Sequence, residues 1–121
     1  MVRSPEEFKK RTKQFALRVI RLANAVPNNS AGRHIGGQLL RAGTSVASNY
    51  RAACRGRSPA EFCAKLGTVE EEADESIFWM EMLVESGLMK ESLLAGLVKE
   101  ANEILAMVVK SIVTARRRKG N

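Results

Sequence analysis

The residues of this sequence that could take part in chemistry are arginines clustered in one segment. SVASNYRAACRGR, residues 45–57, carries Arg51, Arg55 and Arg57 and no acidic residue. The chain then turns acidic within a dozen residues, at Glu70, Glu71, Glu72, Asp74 and Glu75. Either the two blocks pair with each other, or the basic block contacts the phosphates of an external polyanion.

The charge of the whole chain is unevenly distributed. The net charge of the protein is +7, but residues 1–57 carry +10, residues 58–115 carry −7 and residues 116–121 carry +4. An asymmetry of this kind is typical of proteins with a polyanionic partner. Nucleic acids and anionic lipid headgroups both fit that description.

Catalytic and metal-binding chemistry finds little support. His34 is the only histidine, so one chain cannot hold a metal site with two histidines. The acidic run lacks the Glu-x-x-His pairs of a di-metal bundle. No glycine-rich phosphate loop follows a strand. We therefore expect no enzyme activity, no catalytic or metal-ligating residue and no cofactor.

The sequence also bears on the compartment. Cys54 and Cys63 have no histidine nearby and are typical of ordinary thiols in a reducing cytosol. The N-terminal segment is charged and lacks the apolar core of a signal peptide. No uncharged run is long enough to span a bilayer. The protein is predicted to be cytoplasmic.

Two segments carry the same signal for the start of a helix. Ser4-Pro5-Glu6-Glu7 and Ser58-Pro59-Ala60-Glu61 each combine a capping serine, a first-turn proline and an acid that closes a capping box. The first helix ends at Pro27, the second runs from near Ser30 to about Arg55, and the third ends at Gly87. A fourth helix follows a short loop, giving one domain over 1–115 and a basic tail over 116–121.

Apolar residues recur with helical spacing throughout these segments. The first stripe is Phe8, Thr12, Phe15, Val19, Leu22 and Val26, and the fourth is Leu94, Val98, Ala101, Leu105, Val108, Ile112 and Ala115. Glycines in the second helix, at Gly36, Gly37 and Gly43, indicate either that another backbone packs close by or that this helix is weak by itself and is held by its neighbours. No strand pattern competes, and short connections make neighbours antiparallel. The sequence predicts an all-α, up-down-up-down four-helix bundle.

A family resemblance rests on one ordered set of residues. They are Arg41, the run 45–51, Arg55, Ser58, Glu61-Phe62, Lys65-Leu66, the run 70–76 and Trp79. They resemble the four helix bundle protein family, also called the 23S ribosomal RNA intervening-sequence protein family, from Phe8 to about Ala115. Many members have Glu-Gly where this chain has Ala52-Ala53, which indicates a basic subgroup.

The resemblance implies further properties. Members are bacterial, and their bundles assemble into rings, typically homopentamers, with a poorly defined role. A structurally similar accessory protein of diversity-generating retroelements is a basic pentamer that binds nucleic acid and a reverse transcriptase. The resemblance therefore implies a homo-oligomer that could bind RNA, DNA or a protein partner. Its motif residues, structural or at an interface, are Arg41, Ser45, Ser48, Asn49, Glu71, Asp74, Glu75 and Trp79.

The hairpin of the second and third helices places Arg41 level with Glu71, Glu72 and Glu75, Arg33 level with Glu81, and Arg51 near Glu61. This register predicts salt bridges within one subunit or between subunits. The first two helices nevertheless carry more cations than the acids can neutralise. We predict non-specific RNA or DNA binding through Arg51, Arg55, Arg57, Lys9, Lys13, Arg18, Arg21, Arg116, Arg117 and Arg118. Only 5% of residues are aromatic, so base readout is not expected.

Two other functions fit the same charges. The first is a protein-protein scaffold whose charges serve subunit assembly only. The second is docking on anionic membranes, which is the weakest because no helix sets a basic face opposite exposed bulky apolar residues. Trp79 is expected in the core or at an interface, where tryptophan is a common anchor.

Overall fold

A computed structural model of the chain describes residues 4–120, with side chains as far as Arg118. Over this range the chain forms four α-helices and no strand. They are α1 (Pro5–Ala25), α2 (Ser30–Cys54), α3 (Pro59–Glu85) and α4 (Glu91–Gly120). The predicted all-α class and the number of helices are confirmed.

The helix starts follow the predicted caps. The Ser4 hydroxyl accepts a hydrogen bond from the Glu7 amide at 3.1 Å, and the Ser58 hydroxyl accepts one from the Glu61 amide at 3.1 Å. Asn29 caps α2 in the same way, through the Gly32 amide at 2.8 Å. Each cap satisfies an amide that has no partner inside the helix, which fixes where the helix begins.

Gly87 ends the third helix in the predicted manner. It is the one described residue with a positive φ, at 79°, a backbone conformation that costs glycine little and other residues more. The chain reverses here because the Met89 amide donates back to the Leu83 carbonyl at 3.0 Å. The next helix, α4, continues through the basic segment, so Arg116–Arg118 are helical.

One core holds the four helices together. Its large, fully buried side chains come from every helix, and include Phe15, Leu39, Leu66, Met80, Leu94 and Ile104. Two polar residues share this core. The hydroxyl of Thr12 donates to the Phe8 carbonyl, and that of Ser76 to the Glu72 carbonyl, so neither is left unpaired.

Among the described glycines within helices, Gly43 lies closest to a neighbouring helix. A Cβ at this position would come within 2.7 Å of both methyl groups of Val19 on α1. A Cβ at Gly36 would lie 3.5 Å from the Val26 side chain, which is an ordinary van der Waals contact. A Cβ at Gly37 would have no packing neighbour within 4 Å. Close packing against the second helix is therefore confirmed at Gly43 and wrong for Gly37.

Each helix packs mainly on its neighbours in the sequence. α1 contacts α2, α2 contacts α3 and α3 contacts α4, while the contact of α1 with α4 is much the sparsest. The α1–α2 pair is antiparallel, because Phe8 near the start of α1 meets Tyr50 near the end of α2, with ring centroids 4.5 Å apart. The starts of α1 and α3 and the ends of α2 and α4 lie at the same end of the bundle, because Pro5, Pro59, Cys54 and Arg118 line one cleft there.

Candidate nucleic-acid interface

The up-down topology gathers basic residues at one end of the bundle. We define the basic end as residues 4–13, 51–65 and 106–118. It contains twelve lysines and arginines and three glutamates. The sequence places these cations in three distant segments, and the alternation of helix direction brings them together.

Few of these cations have an acidic partner. Lys9 pairs with Glu6 at 2.8 Å, and Arg11 pairs with two glutamates of α4. Among the residues that the structure describes, the other ten form no ion pair with a carboxylate. These ten are Lys10, Lys13, Arg51, Arg55, Arg57, Lys65, Lys110, Arg116, Arg117 and Arg118, and all ten are exposed to solvent.

The predicted nucleic-acid residues are divided between the two ends. Lys9 and Lys13, Arg51, Arg55 and Arg57, and Arg116–Arg118 all lie at the basic end. Arg18 and Arg21 lie in the other half of α1, where the Arg18 guanidinium lies 3.4 Å from the position that a Cβ would take at Gly96. Lys10, Lys65 and Lys110, which the sequence prediction omitted, belong to the basic end.

Arg11 joins α1 to α4. Its guanidinium donates to both carboxylate oxygens of Glu100 at 2.8 Å and to Glu103 at 2.6 Å. The hydrogen bond to Glu100 raises the pKa of Arg11 above its already high usual value. The Arg11 side chain is only 23% exposed and that of Glu100 only 19%, so this pair is shielded from water and does not contribute to a free basic surface.

Within the described residues of one chain, Arg33 and Arg51 form no ion pair with Glu81 and Glu61. The predicted pairing of Arg41 is confirmed in the α2–α3 hairpin. Its guanidinium binds Glu72 at 3.0 Å and also Glu75. The hydrogen bond to Glu75 raises the pKa of Arg41. The Trp79 indole donates to the same Glu75 carboxylate at 3.1 Å. These residues of the family motif form one network, which sets the register of the hairpin rather than offering a free cation.

The other motif residues are placed around this network. The Asn49 amide donates to the Ser45 carbonyl at 2.9 Å and the Ser48 hydroxyl to the same carbonyl at 3.4 Å, so both polar groups bond within α2. Glu71 and Asp74 are exposed on α3.

The half-buried Trp79 lies between two other rings. The His34 ring lies 5.8 Å away and the Phe78 ring 4.9 Å away, both edge-on. From this position Trp79 packs against the edge of the core.

Two outer faces of the bundle carry exposed apolar side chains. On the α1–α2 face, Leu17, Ile20 and Leu40 are 37 to 41% exposed. Leu40 lies one helical turn from both Gly36 and Gly43, which turn towards α1, so it borders the groove between the two helices. The exposed cations of this face are Lys10, Lys13, Arg21, Arg33 and Arg51.

The α3–α4 face has the opposite charge. Phe78, Val109 and Val113 are 39 to 48% exposed here. The acids along it are Glu70, Asp74, Glu81, Glu85 and Glu91, and the last three line a groove of about 470 Å³ between the two helices. Because α2 and α4 each contact both α1 and α3, this face lies on the opposite side of the bundle from the α1–α2 face.

The described residues also bear on three other kinds of site. Within residues 4–120, no group of three or more histidine, cysteine or acidic residues is arranged to hold a metal ion. None of the helices in the described part of the chain is long and apolar enough to cross a membrane. Cys54 and Cys63 are half-buried free thiols.

Fold and charge together define a small, strongly basic protein of four antiparallel helices. The chain belongs to the 23S rRNA-intervening sequence protein family, whose sequence profile matches residues 6–110. The resemblance predicted from the motif residues is therefore confirmed.

A solved structure supports the same assignment. It is a protein of unknown function from the S23 ribosomal protein family of Bacteroides thetaiotaomicron, and it superposes with a TM-score of 0.83 at 27% identity. The match covers 89% of this chain and 96% of that one. Among curated proteins, none matches this chain. Neither the family description nor that of the solved structure names an enzymatic activity.

Proposed function

We propose that this protein is a non-enzymatic cytoplasmic protein that binds RNA or DNA by its phosphates at the basic end. The observation that carries the proposal is the set of ten exposed cations without an ion pair at one end of a small bundle. Neutralising phosphates with lysine and arginine releases condensed counterions, so affinity falls steeply with salt and depends little on sequence.

A salt series on generic RNA and duplex DNA tests the proposal. Replacing Arg55 and Arg57 with glutamate reverses two cations at the α2–α3 turn, away from the two apolar faces. If both contact phosphates, the slope of log affinity against log salt should fall by about 2 for duplex DNA. Affinity at about 50 mM salt should fall by roughly tenfold or more.

A matched variant separates position from net charge. Lys90 and Lys99 lie outside the basic end, in the loop before α4 and in the first half of α4, and reversing both to glutamate changes the net charge by the same amount. This control should keep most of the affinity. Absence of any binding at low salt, or an equal loss in the two variants, would refute binding through the basic end.

We also propose that the protein forms a ring-shaped homo-oligomer, a pentamer by family resemblance, in which the α1–α2 face of one subunit packs on the α3–α4 face of the next. Each face carries exposed apolar residues, and their charges are opposite in sign. Lys10, Lys13 and Arg51 lie on the α1–α2 face, so in the ring the other seven unpaired cations of the basic end remain available to phosphates. Two different complementary surfaces on opposite sides of a subunit form a head-to-tail contact, which closes into a ring when the rotation per subunit permits.

Mixing two interface variants tests this arrangement. Leu40→Asp should disable the α1–α2 face, and Val109→Asp the α3–α4 face, so each variant alone should be monomeric. Mixed together, they should form a one-to-one dimer and nothing larger, because each retains the face that its partner needs. If instead one face packed on the same face of a second subunit, the variant that keeps this face would form a dimer by itself. A wild-type monomer in light scattering would refute the assembly.

The complementary faces also favour the second candidate, a scaffold whose charges serve assembly only. That function predicts that reversing Arg55 and Arg57 changes neither nucleic-acid binding nor subunit number. It would replace the first proposal if the wild-type ring formed but bound neither RNA nor DNA at low salt.

A further inference from the structure

The basic end contains an open cleft that phosphate binding does not explain. The cleft measures about 850 Å³ and lies between the starts of α1 and α3 and the last turns of α2 and α4. Pro5 and Pro59 border it on two sides, and Lys110, Ser111 and Thr114 line its α4 wall. It therefore opens where the unpaired cations are concentrated.

The floor of the cleft is apolar and aromatic. It includes Phe8, Tyr50, Phe62 and Met107. The Phe8 and Tyr50 rings are buried and meet edge to face, whereas Phe62 and Met107 are only half-buried and present apolar surface to solvent. An apolar floor left open to water among so many cations is typical of a ligand site.

The rim supplies polar groups of a definite kind. Among the described residues, the charged side chains that line the cleft are Lys110 and Arg118, and none of those lining it is a carboxylate. The hydroxyls of Ser111 and Thr114 form no hydrogen bond with the residues that the structure describes, so they are available to a ligand. The matching ligand has an apolar flat body, hydrogen-bonding edges and flanking negative charge.

We propose that this cleft binds an unpaired base of single-stranded nucleic acid, with the flanking phosphates on the surrounding cations. The inference rests on the proposed nucleic-acid binding and specifies the form of the nucleic acid. A base in a duplex is stacked and paired, and cannot enter the cleft without being extruded. Every base has an apolar face, so the cleft selects single strands without selecting sequence.

An abasic oligonucleotide provides the first test. It keeps the phosphates of a single strand but has no bases, so it isolates the contribution of the cleft. The protein should bind an oligothymidine at least about fivefold more tightly than an abasic strand of the same length. Equal affinities would overturn the inference while leaving phosphate binding intact.

A variant that fills the cleft provides the second test. Ala115→Phe places a ring in the cleft without changing charge, and Ala31→Phe makes the same change at an exposed position of the opposite end. The first should weaken oligothymidine binding by about fivefold and leave duplex binding unchanged, and the second should change neither. No effect of Ala115→Phe would overturn the inference.

The two cysteines give a third measurement on the unaltered protein. Cys54 lines the cleft and Cys63 does not, although both are half-buried. Oligothymidine should slow the alkylation of Cys54 and leave that of Cys63 unchanged. Protection of Cys54 by an acidic amphipathic peptide and not by oligothymidine would assign the cleft to a protein partner instead. If no nucleic acid binds at low salt, the proposed function fails together with this inference.

Discussion

Replacing Gly43 with alanine tests how closely α1 approaches α2. The added methyl group would lie 2.7 Å from both Val19 methyl carbons, whereas carbon atoms in favourable contact are about 3.5 to 4.0 Å apart. Val19 is completely buried and its branched side chain has few other rotamers. The strain must therefore be relieved by moving α1 outward by about 1 Å.

The expected magnitude combines two opposing terms. Overpacking a core in this way costs about 1 to 3 kcal/mol of unfolding free energy. Alanine in place of glycine within a helix returns about 1 kcal/mol. At Gly37, which has no atom within 4 Å, only the second term applies. Gly43→Ala should therefore be less stable than Gly37→Ala by about 1 to 3 kcal/mol.

Urea unfolding of the two variants measures this difference. The transitions are followed by far-ultraviolet circular dichroism at one protein concentration, because an assembling protein gains stability with concentration. Gly37→Ala should have a higher midpoint than the wild type and Gly43→Ala a lower one than Gly37→Ala, with similar slopes. Equal midpoints would show that the α1–α2 contact is looser than the structure describes.

Two further perturbations have definite signs. Arg11→Met should lower the free energy of unfolding in urea by about 1 to 3 kcal/mol, because it leaves the shielded Glu100 carboxylate without its bidentate partner. Glu103→Gln, at the exposed edge of the same contact, should lower it by only about 0 to 1 kcal/mol. Equal losses in the two variants would contradict this ranking. Burial, and then a hydrogen bond to Cys54, raises the pKa of Tyr50, the sole tyrosine, so phenolate absorbance should not rise near pH 10 in the folded protein. The unfolded chain loses the Tyr50 hydroxyl proton at a lower pH than the folded protein does, so the free energy of unfolding should fall as the pH rises above about 10. A rise in phenolate absorbance near pH 10, before the protein unfolds, would contradict the burial of Tyr50.

Helix positions and one interhelical register could be predicted from the sequence because both follow from local rules. The Ser-Pro caps at Ser4 and Ser58 fixed two helix starts, and the short α2–α3 turn fixed which acids lie level with Arg41. Within the described residues, Glu72 and Glu75 are its partners, whereas Glu71 is exposed. The acid that Arg41 contacts, among those at the same level of the hairpin, depends on the direction of the side chains. Residue spacing in the sequence does not give that direction.

Contacts between helices that no hairpin joins were not predictable. The pairing of Arg11 with Glu100 links α1 to α4, and nothing in the sequence sets the register of that pair. The buried face of α4 also differs from the predicted apolar stripe. Leu97 and Ile104 are buried, whereas Val98 and Leu105, which the sequence placed in the stripe, are half-buried. The cleft, likewise, depends on where four helix ends stop relative to one another.

The order of helix contacts has a consequence for how the chain reaches its native state. Because almost all packing joins helices adjacent in the sequence, each newly made helix finds its main partner immediately before it. Proteins built from such near-neighbour contacts fold quickly, since little loop entropy is lost before packing begins. The first hairpin can thus form while the second is still being synthesised, and docking of α4 against α1 completes the process.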